Sequence, residues 1–229
     1  MSNFDFDVVG RNLPYLFLVG MRFTLTLTFL AAAGGVILGT LLAIIRLSGG
    51  GVLSAVAACY VNLVRALPLV LVIFWFYFLV PYVGQWVTGA SRPIQVGGFA
   101  SALITFIVFE AAYFSEIMRA GIASIARGQS SAGMALGLTQ IQVMRYVILP
   151  QVFRIMLPVL LTQTIVLFQD TSLVYVLSIT DFLGAASKIA ERDGRLVEMY
   201  SFAAVVYFAF SFTASRGVRR LRARFAVPA

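Results

Sequence analysis

The chain has 229 residues, of which 61% are apolar and 11% are charged, and its formal charge is +8. Soluble domains are typically ~45–50% apolar and ~25% charged, so this composition excludes an ordinary soluble domain and indicates an integral membrane protein. With no histidine, one cysteine (Cys59) and one lysine (Lys188), the chain lacks the residues for a histidine-based triad, a Cys/His metal site or an internal disulfide.

Uncharged runs long enough to cross a bilayer occur five times. A helix needs ~20 mainly apolar residues to cross ~30 Å of hydrocarbon, and 23 uncharged residues lie between Arg22 and Arg46. The sequence therefore predicts an all-α integral membrane protein with one domain over 20–216, an external segment 1–19 and a basic tail 217–229. The predicted spans are about 22–46, 66–88, 96–118, 155–179 and 197–216.

The basic residues indicate the orientation of the spans. They lie between long uncharged runs and do not form a patch beside aromatic residues, which argues against a nucleic-acid partner. Eleven fall in segments on one side and six on the other, so the positive-inside rule predicts an external N-terminus and a cytoplasmic C-terminus. The run from Arg216 to Arg224 is expected to contact anionic membrane lipid. The long first apolar run, preceded by Asp5 and Asp7, argues against a cleaved signal peptide.

The longest cytoplasmic connection, 120–150, has the pattern of two short helices. A first helix is predicted over Ser131 to Leu136. A second begins with the capping-box spacing of Thr139 and Gln142, and Pro150 is expected to end it. The spacing alone fits either a simple connector or a docking surface.

Several polar residues fall inside the predicted spans, where a charge costs ~2.5–3.5 kcal/mol on insertion scales. Glu116 and Arg119 have the i,i+3 spacing of a structural ion pair, whereas Glu110 has no evident partner. A G-x-x-x-G from Gly35 to Gly39 predicts close helix packing within the subunit. The fourth span contains a polar cluster that lines a solute pathway or has a structural role: Gln163, Gln169, Asp170, Thr171 and Ser172.

The 120–150 segment resembles the "EAA" loop of the inner-membrane subunits of ATP-binding-cassette (ABC) importers, whose pattern is E-A-A-x3-G-x9-I-x-L-P. Three positions differ from the pattern, with Ser131 for Glu, Gly133 for Ala and Val147 for Ile. The residues at the pattern's positions are Ser131, Ala132, Gly133, Gly137, Val147, Leu149 and Pro150.

Other segments in the same order resemble this family. The segment Arg65-Ala66-Leu67-Pro68-Leu69 is similar to the family's R-G-T-P-L motif. The sequence EIMRAGI, which starts at Glu116, is similar to its E-I-x-R-x-G-I motif. The sequence FQDTSL, which starts at Phe168, is similar to its K/Q-D-T-S-L motif, where the fourth helix breaks. Together they cover about 20–216 and resemble the polar amino-acid branch, most of all the permeases of glutamate/aspartate importers. The resemblance implies the type I importer (MetI-like) permease fold.

The resemblance also implies partners and a mechanism. It implies a homologous second permease in a heterodimer, two cytoplasmic ATP-binding subunits, a periplasmic or extracellular solute-binding protein and a location in the bacterial inner membrane. No G-x-x-x-x-G-K-[ST] motif occurs in this chain, so ATP and Mg²⁺ are expected on the partner ATPase and no cofactor or metal on this subunit. Coupling to the ATPase would use Ser131, Ala132, Gly133, Gly137, Leu149 and Pro150.

For the solute, the resemblance favours glutamate or aspartate. Asp170 is a candidate acceptor for the ammonium group of an amino acid, with Gln163, Thr171 and Ser172 as donors to its carboxylates. Arg65 is a candidate cation for an acidic solute, although a structural role at the end of the second span fits it as well. The alternatives are an importer of basic amino acids or glutamine, or a membrane scaffold that transports nothing.

Overall fold

The structure, a computed structural model, describes residues 4–47, 50–94 and 96–225. Residues 1–3 of the predicted external segment and 226–229 of the predicted tail lie outside this range. In chain order the helices are α1 (Phe6–Leu47), α2 (Val52–Ala66), α3 (Leu69–Thr88), α4 (Gly98–Ser124), α5 (Arg127–Ala135), α6 (Gln140–Leu177), α7 (Phe182–Asp193) and α8 (Leu196–Phe225).

Five of these helices, α1, α3, α4, α6 and α8, are long and apolar enough to cross a membrane. This confirms the prediction of an all-α chain with five spans. The sequence reading missed α2, an apolar helix of 15 residues that follows the first span. Its length is below the ~20 residues that a crossing needs, so it connects two spans.

The first helix extends well beyond the predicted span 22–46, because α1 runs unbroken for 42 residues through Arg22. Its start is set by Asp5, whose side chain accepts the Asp7 backbone N–H at 2.9 Å. A single exposed arginine does not interrupt a helix whose backbone hydrogen bonds continue. Much of the predicted external segment 1–19 is therefore helical and continuous with the first span.

The G-x-x-x-G of the first span packs inside the subunit, as the sequence predicts. A Cβ at Gly39 would lie 2.8 Å from the Ala111 carbonyl oxygen and 2.8 Å from the Ser115 nitrogen of α4. A Cβ at Gly35 would meet the Phe114 ring at 3.0 Å. These two glycines let the backbones of α1 and α4 approach closely.

Replacing Gly39 by Val is therefore expected to push α1 away from α4. Two of the three nearest atoms belong to backbone and the third is the Phe114 Cβ, so a side-chain rotation does not relieve the clash. Overpacking of this kind costs about 1–3 kcal/mol. The thermal unfolding of the purified subunit in detergent measures the effect. Gly10→Val is the control, because none of the described residues has an atom within 4 Å of a Cβ built there. Equal unfolding temperatures for both variants would contradict the prediction.

Helix α7 is anchored on α1 by a buried cap. Asp181 accepts the backbone N–H of Leu183 at 3.1 Å and of Gly184 at 2.8 Å, and the Phe182 N–H donates to the Thr24 hydroxyl at 3.0 Å. Burial raises the pKa of Asp181 to about 6, against the opposing effect of these hydrogen bonds. Because Gly20 of α1 has no Cβ, the Phe182 backbone packs directly on it, where a Cβ would lie 2.9 Å from the Phe182 Cα.

The expectation that Pro150 ends the second helix of the 120–150 segment is wrong. Helix α6 passes through Pro150 and continues to Leu177. Within α6, a π-helical turn over Met144–Ile148 lies just before Pro150, and the Leu149 N–H donates to the Met144 carbonyl. Leu149 and Pro150 then occupy the first positions of the following α-helical segment, where a missing proline N–H is tolerated. The loop is thus continuous with the fourth span.

Candidate functional site

A buried carboxylate lies at the interface of α4 and α6. Glu110 of α4 is fully buried, and the Gln163 side chain of α6 donates to its Oε2 at 3.1 Å. Its other oxygen, Oε1, is buried without a hydrogen-bond partner among the residues that the structure describes. Leaving a buried polar atom without a hydrogen bond costs about 1–3 kcal/mol. This oxygen can therefore accept a hydrogen bond from a ligand, which would remove that cost.

Asp170 lies on the same helix as Gln163, two turns further along. It is half-buried at the point where α6 tightens from α-helix into the 3₁₀ turns of Thr171–Leu177. Its carboxylate lies within electrostatic range of Glu110, and within the described ranges it has no hydrogen-bond or ion-pair partner. We call this set the carboxylate site: Glu110, Gln163 and Asp170. Its two carboxylates can each accept further hydrogen bonds within the apolar spans.

The remaining residues of the predicted pathway are placed differently. The Gln169 amide donates to the Ser211 hydroxyl of α8 at 2.9 Å. The Thr171 hydroxyl is buried and donates to the Phe168 carbonyl at 2.7 Å, whereas Ser172 is half-buried beside it. The five predicted residues therefore divide, with Gln163 and Asp170 in the carboxylate site and Gln169 directed to α8.

Glu110 is the member of the carboxylate site that sequence reasoning could not place. Gln163 is 53 positions away in the chain, so no local spacing reveals the pair. The sequence offered one indication that Glu110 matters, the free-energy cost of placing a carboxylate inside an apolar span. Such a residue requires a partner or a function.

Three arginines surround Glu116 near the end of α4. Arg119 makes the ion pair that the i,i+3 spacing predicts, at 2.9 Å from Oε2. Arg46, from the end of α1, lies 2.7 Å from Oε1, and Arg65, from the end of α2, lies 3.8 Å from the same oxygen. This set, called the arginine cluster below, joins three helix ends and carries two more positive than negative charges.

The 120–150 segment forms a compact bent hairpin in which the predicted capping box is present. The Thr139 hydroxyl accepts the Gln142 N–H at 3.3 Å, and the Gln142 side chain accepts the Thr139 N–H at 2.8 Å. Gly133 contacts α6 so closely that a Cβ there would lie 2.8 Å from Val143. Glycine in place of the motif's alanine therefore suits this local packing.

The tip of the hairpin is an exposed apolar knob. Leu136 is 84% exposed and Ile141 is 80% exposed, with Met134 half-exposed beside them. Gly137 between them has φ +84°, a conformation that glycine adopts without strain. Of the other predicted coupling residues, Ser131 and Ala132 lie on α5, and Leu149 and Pro150 on α6 behind the π-helical turn.

Known proteins resemble the chain along nearly its whole length. A family model described as the binding-protein-dependent transport system inner membrane component matches residues 35–227. The glutamate/aspartate import permease protein GltK of Escherichia coli O6:H1 is 52% identical over 98% of this chain and 99% of its own length. The glutamine transport system permease protein GlnP of Escherichia coli strain K12 is 33% identical over 96% of this chain and 97% of its own.

Solved structures have the same fold. A chain from a crystal structure of an amino acid ABC transporter with histidines superposes with a TM-score of 0.81, at 31% identity and over 96% of this chain and 98% of that chain. A chain of the MetNI methionine ABC transporter in an inward-facing conformation has a TM-score of 0.67 at 22% identity, over 90% of this chain and 96% of that chain. The chain therefore belongs to the family of binding-protein-dependent inner-membrane transport components, in its branch of polar amino-acid ABC importer permeases.

Proposed function

We propose that this chain is the permease subunit of an ATP-driven importer and carries glutamate or aspartate across the bacterial inner membrane. The observation that carries the proposal is the carboxylate site. Among the described residues, Glu110 Oε1 has no hydrogen-bond partner, and the half-buried Asp170 has no hydrogen-bond or ion-pair partner. An amino acid brings an ammonium group that needs such acceptors, and a charge kept unpaired at membrane depth marks a solute pathway by default. The 52% identity to GltK supports the dicarboxylic solute.

At this site Glu110 and Asp170 would accept the ammonium group. Gln163 uses one of its two N–H groups on Glu110, so the second remains available for a solute carboxylate, with the Ser172 hydroxyl near by. Gln169 and Thr171 donate elsewhere in this conformation. They would take part only in a second state of the alternating-access cycle in which those bonds are broken.

Helix α6 connects the hairpin to the carboxylate site. It begins at Gln140 beside the exposed knob, carries Gln163 and reaches Asp170 without a break. A force applied to the hairpin would therefore move one half of the site relative to Glu110 on α4. Rigid-body motion of packed helices is a common way for such interfaces to switch. ATP-driven closure of two cytoplasmic subunits docked on the knob would supply the force.

The partners follow from this role. They are a second homologous permease in a heterodimer, the two ATP-binding subunits that hold ATP and Mg²⁺, a solute-binding protein outside and the surrounding lipid. This chain would bind no cofactor, metal or nucleic acid and would hydrolyse no ATP. Its N-terminus would lie outside and its C-terminus in the cytoplasm.

Uptake by the assembled complex tests the proposal. The chain is co-expressed with an ATPase, a second permease and a solute-binding protein of the same importer, reconstituted in vesicles and given labelled glutamate. We expect ATP-dependent uptake that unlabelled aspartate competes away, and co-purification of the ATPase with this chain. Uptake that persists without ATP, or a chain that retains no ATPase, would refute it.

Glutamine is the second candidate solute, because GlnP is 33% identical over nearly the whole chain. A neutral amide needs the same ammonium acceptors but no cation for its side chain. Competition of labelled glutamate uptake by excess glutamine, arginine or histidine separates these solutes, with strong inhibition by one of them favouring that alternative.

A further inference from the structure

The arginine cluster contains a cation that its acid does not satisfy. Arg46 and Arg119 make close ion pairs with different oxygens of Glu116, at 2.7 Å and 2.9 Å. Arg65 is a distant third at 3.8 Å, and in the part of the chain that the structure describes it makes no other ion pair and no hydrogen bond. One carboxylate cannot balance three guanidinium groups, so the charge on Arg65 remains the least compensated.

Exposure separates Arg65 from Arg46, whereas Arg119 is 38% exposed and is held by its close ion pair with Glu116. The Arg46 side chain is 11% exposed, which fits a structural role, whereas Arg65 is 41% exposed. A guanidinium that is not held by packing can pair with a mobile anion. Arginine suits this task because its planar fork binds a carboxylate through two parallel hydrogen bonds.

Arg65 is also next to the carboxylate site. Its guanidinium lies over the Tyr113 ring, 5.6 Å from the ring centre. Tyr113 is one turn beyond Glu110 on α4, ~4.5 Å along the helix axis, and lies within electrostatic range of Arg65, Glu110 and Asp170. Tyr113 therefore contacts the least compensated cation and lies within electrostatic range of both candidate acceptors for an ammonium group.

We propose that Arg65 binds a carboxylate of the solute and is the counter-cation of the translocation pathway. The inference rests on the proposed function of the carboxylate site. Glu110 and Asp170 attract the ammonium group but repel the carboxylates of the same molecule, so a nearby cation removes an electrostatic barrier. The carboxylate is either the α-carboxylate, shared by all amino acids, or the side-chain carboxylate of an acidic one.

Charge rescue at a single cysteine tests this role. Arg65→Cys is made in a Cys59→Ser background, because Cys59 is exposed, and the whole importer is reconstituted. Because a hydrogen bond to a charged group is lost, uptake should fall about tenfold or more. Aminoethyl methanethiosulfonate, which adds a cation, should restore much of it, whereas the neutral methyl reagent should not.

Controls separate reagent effects from the role of Arg65. The Cys59→Ser parent and an Arg22→Cys variant receive both reagents. Arg22 is exposed on α1, and neither reagent should change uptake there. Arg65→Lys keeps the charge without the planar fork and should transport with a raised KM. If Arg65→Cys fails to assemble while Arg65→Lys has wild-type KM, the charge is structural and the inference is wrong.

The solute distinguishes the two carboxylates. Loss of glutamate uptake with normal glutamine uptake assigns Arg65 to the side-chain carboxylate, and loss of both assigns it to the α-carboxylate. Normal uptake of both by Arg65→Cys, or a loss that neither reagent changes, overturns the inference. A wild-type importer that takes up no amino acid refutes the proposed function itself, independently of the variants.

Discussion

Replacing Asp170 by Asn is expected to lower glutamate uptake about tenfold or more while the importer still assembles. The substitution preserves size and removes only the charge. Because the Asp170 carboxylate has no partner within the described ranges, its loss breaks no bond of this structure. A hydrogen bond to a charged group is worth ~1.5–3 kcal/mol, and ~1.4 kcal/mol corresponds to tenfold.

The measurement is ATP-dependent uptake of labelled glutamate by vesicles that contain equal amounts of complex. Asp193→Asn is the matched control, since Asp193 is an exposed acid at the end of α7 that pairs with Arg192 at 2.7 Å. That variant should transport normally. A variant Asp170→Asn with wild-type uptake and KM would leave Asp170 a structural role.

Glu110 should respond differently because it is fully buried and already bonded. Glu110→Gln retains the shape and an oxygen that can accept the Gln163 amide, so assembly should survive and uptake should fall. Glu110→Ala instead leaves the Gln163 amide unpaired beside a cavity and should reduce the amount of folded subunit. Equal uptake losses in Glu110→Gln and Asp170→Asn, with no further loss in the double variant, would indicate that the two carboxylates act on one group.

Local patterns in the sequence predicted much of the fold. Gaps between charges gave the five spans, the T-x-x-Q spacing gave the cap of α6, and the i,i+3 spacing gave the Glu116–Arg119 pair, because each depends on residues within a few turns. The π-helical turn before Pro150 changes the hydrogen-bonding pattern of the helix backbone, and no pattern of residue types indicates this change. Proline therefore indicated an end where the helix continues.

Only the part of the candidate site that lies on one helix was predicted from the sequence. Asp170 and Gln163 share one helix face and could be found from their spacing. Their partner Glu110 comes from α4, and the direction of Gln169 is set by Ser211 on α8. Both contacts depend on how three helices pack, which residue spacing along one helix does not contain.

Replacing Gly137 by Val is expected to uncouple ATP hydrolysis from transport while the chain remains inserted in the membrane. Gly137 ends α5 in a Schellman motif, with its N–H bonded to the Met134 carbonyl and the Leu138 N–H to the Gly133 carbonyl. Its φ of +84° costs a non-glycine residue of order 1–3 kcal/mol. A cost of this size lowers the ratio of native to altered hairpins ~5- to 150-fold.

The effect should be local because a Cβ at Gly137 would have no atom of the described chain within 4 Å. Valine therefore changes the direction of the hairpin without disturbing the spans. Gly137→Asn is the matched variant, since asparagine tolerates positive φ better than a β-branched residue does, and it should retain more uptake. Wild-type uptake in Gly137→Val would show that the hairpin's bend does not matter for transport.

A second change separates bending from contact. Leu136→Asp with Ile141→Asp leaves the bend intact and places charges on the two most exposed side chains of the knob. If the knob fills an apolar pocket of the ATPase, this variant should lose the ATPase during purification, whereas Gly137→Val should retain it in part but transport poorly. If the double variant keeps its full amount of ATPase, the ATPase docks on a surface other than the knob. Helix α6 would then transmit motion from that other contact.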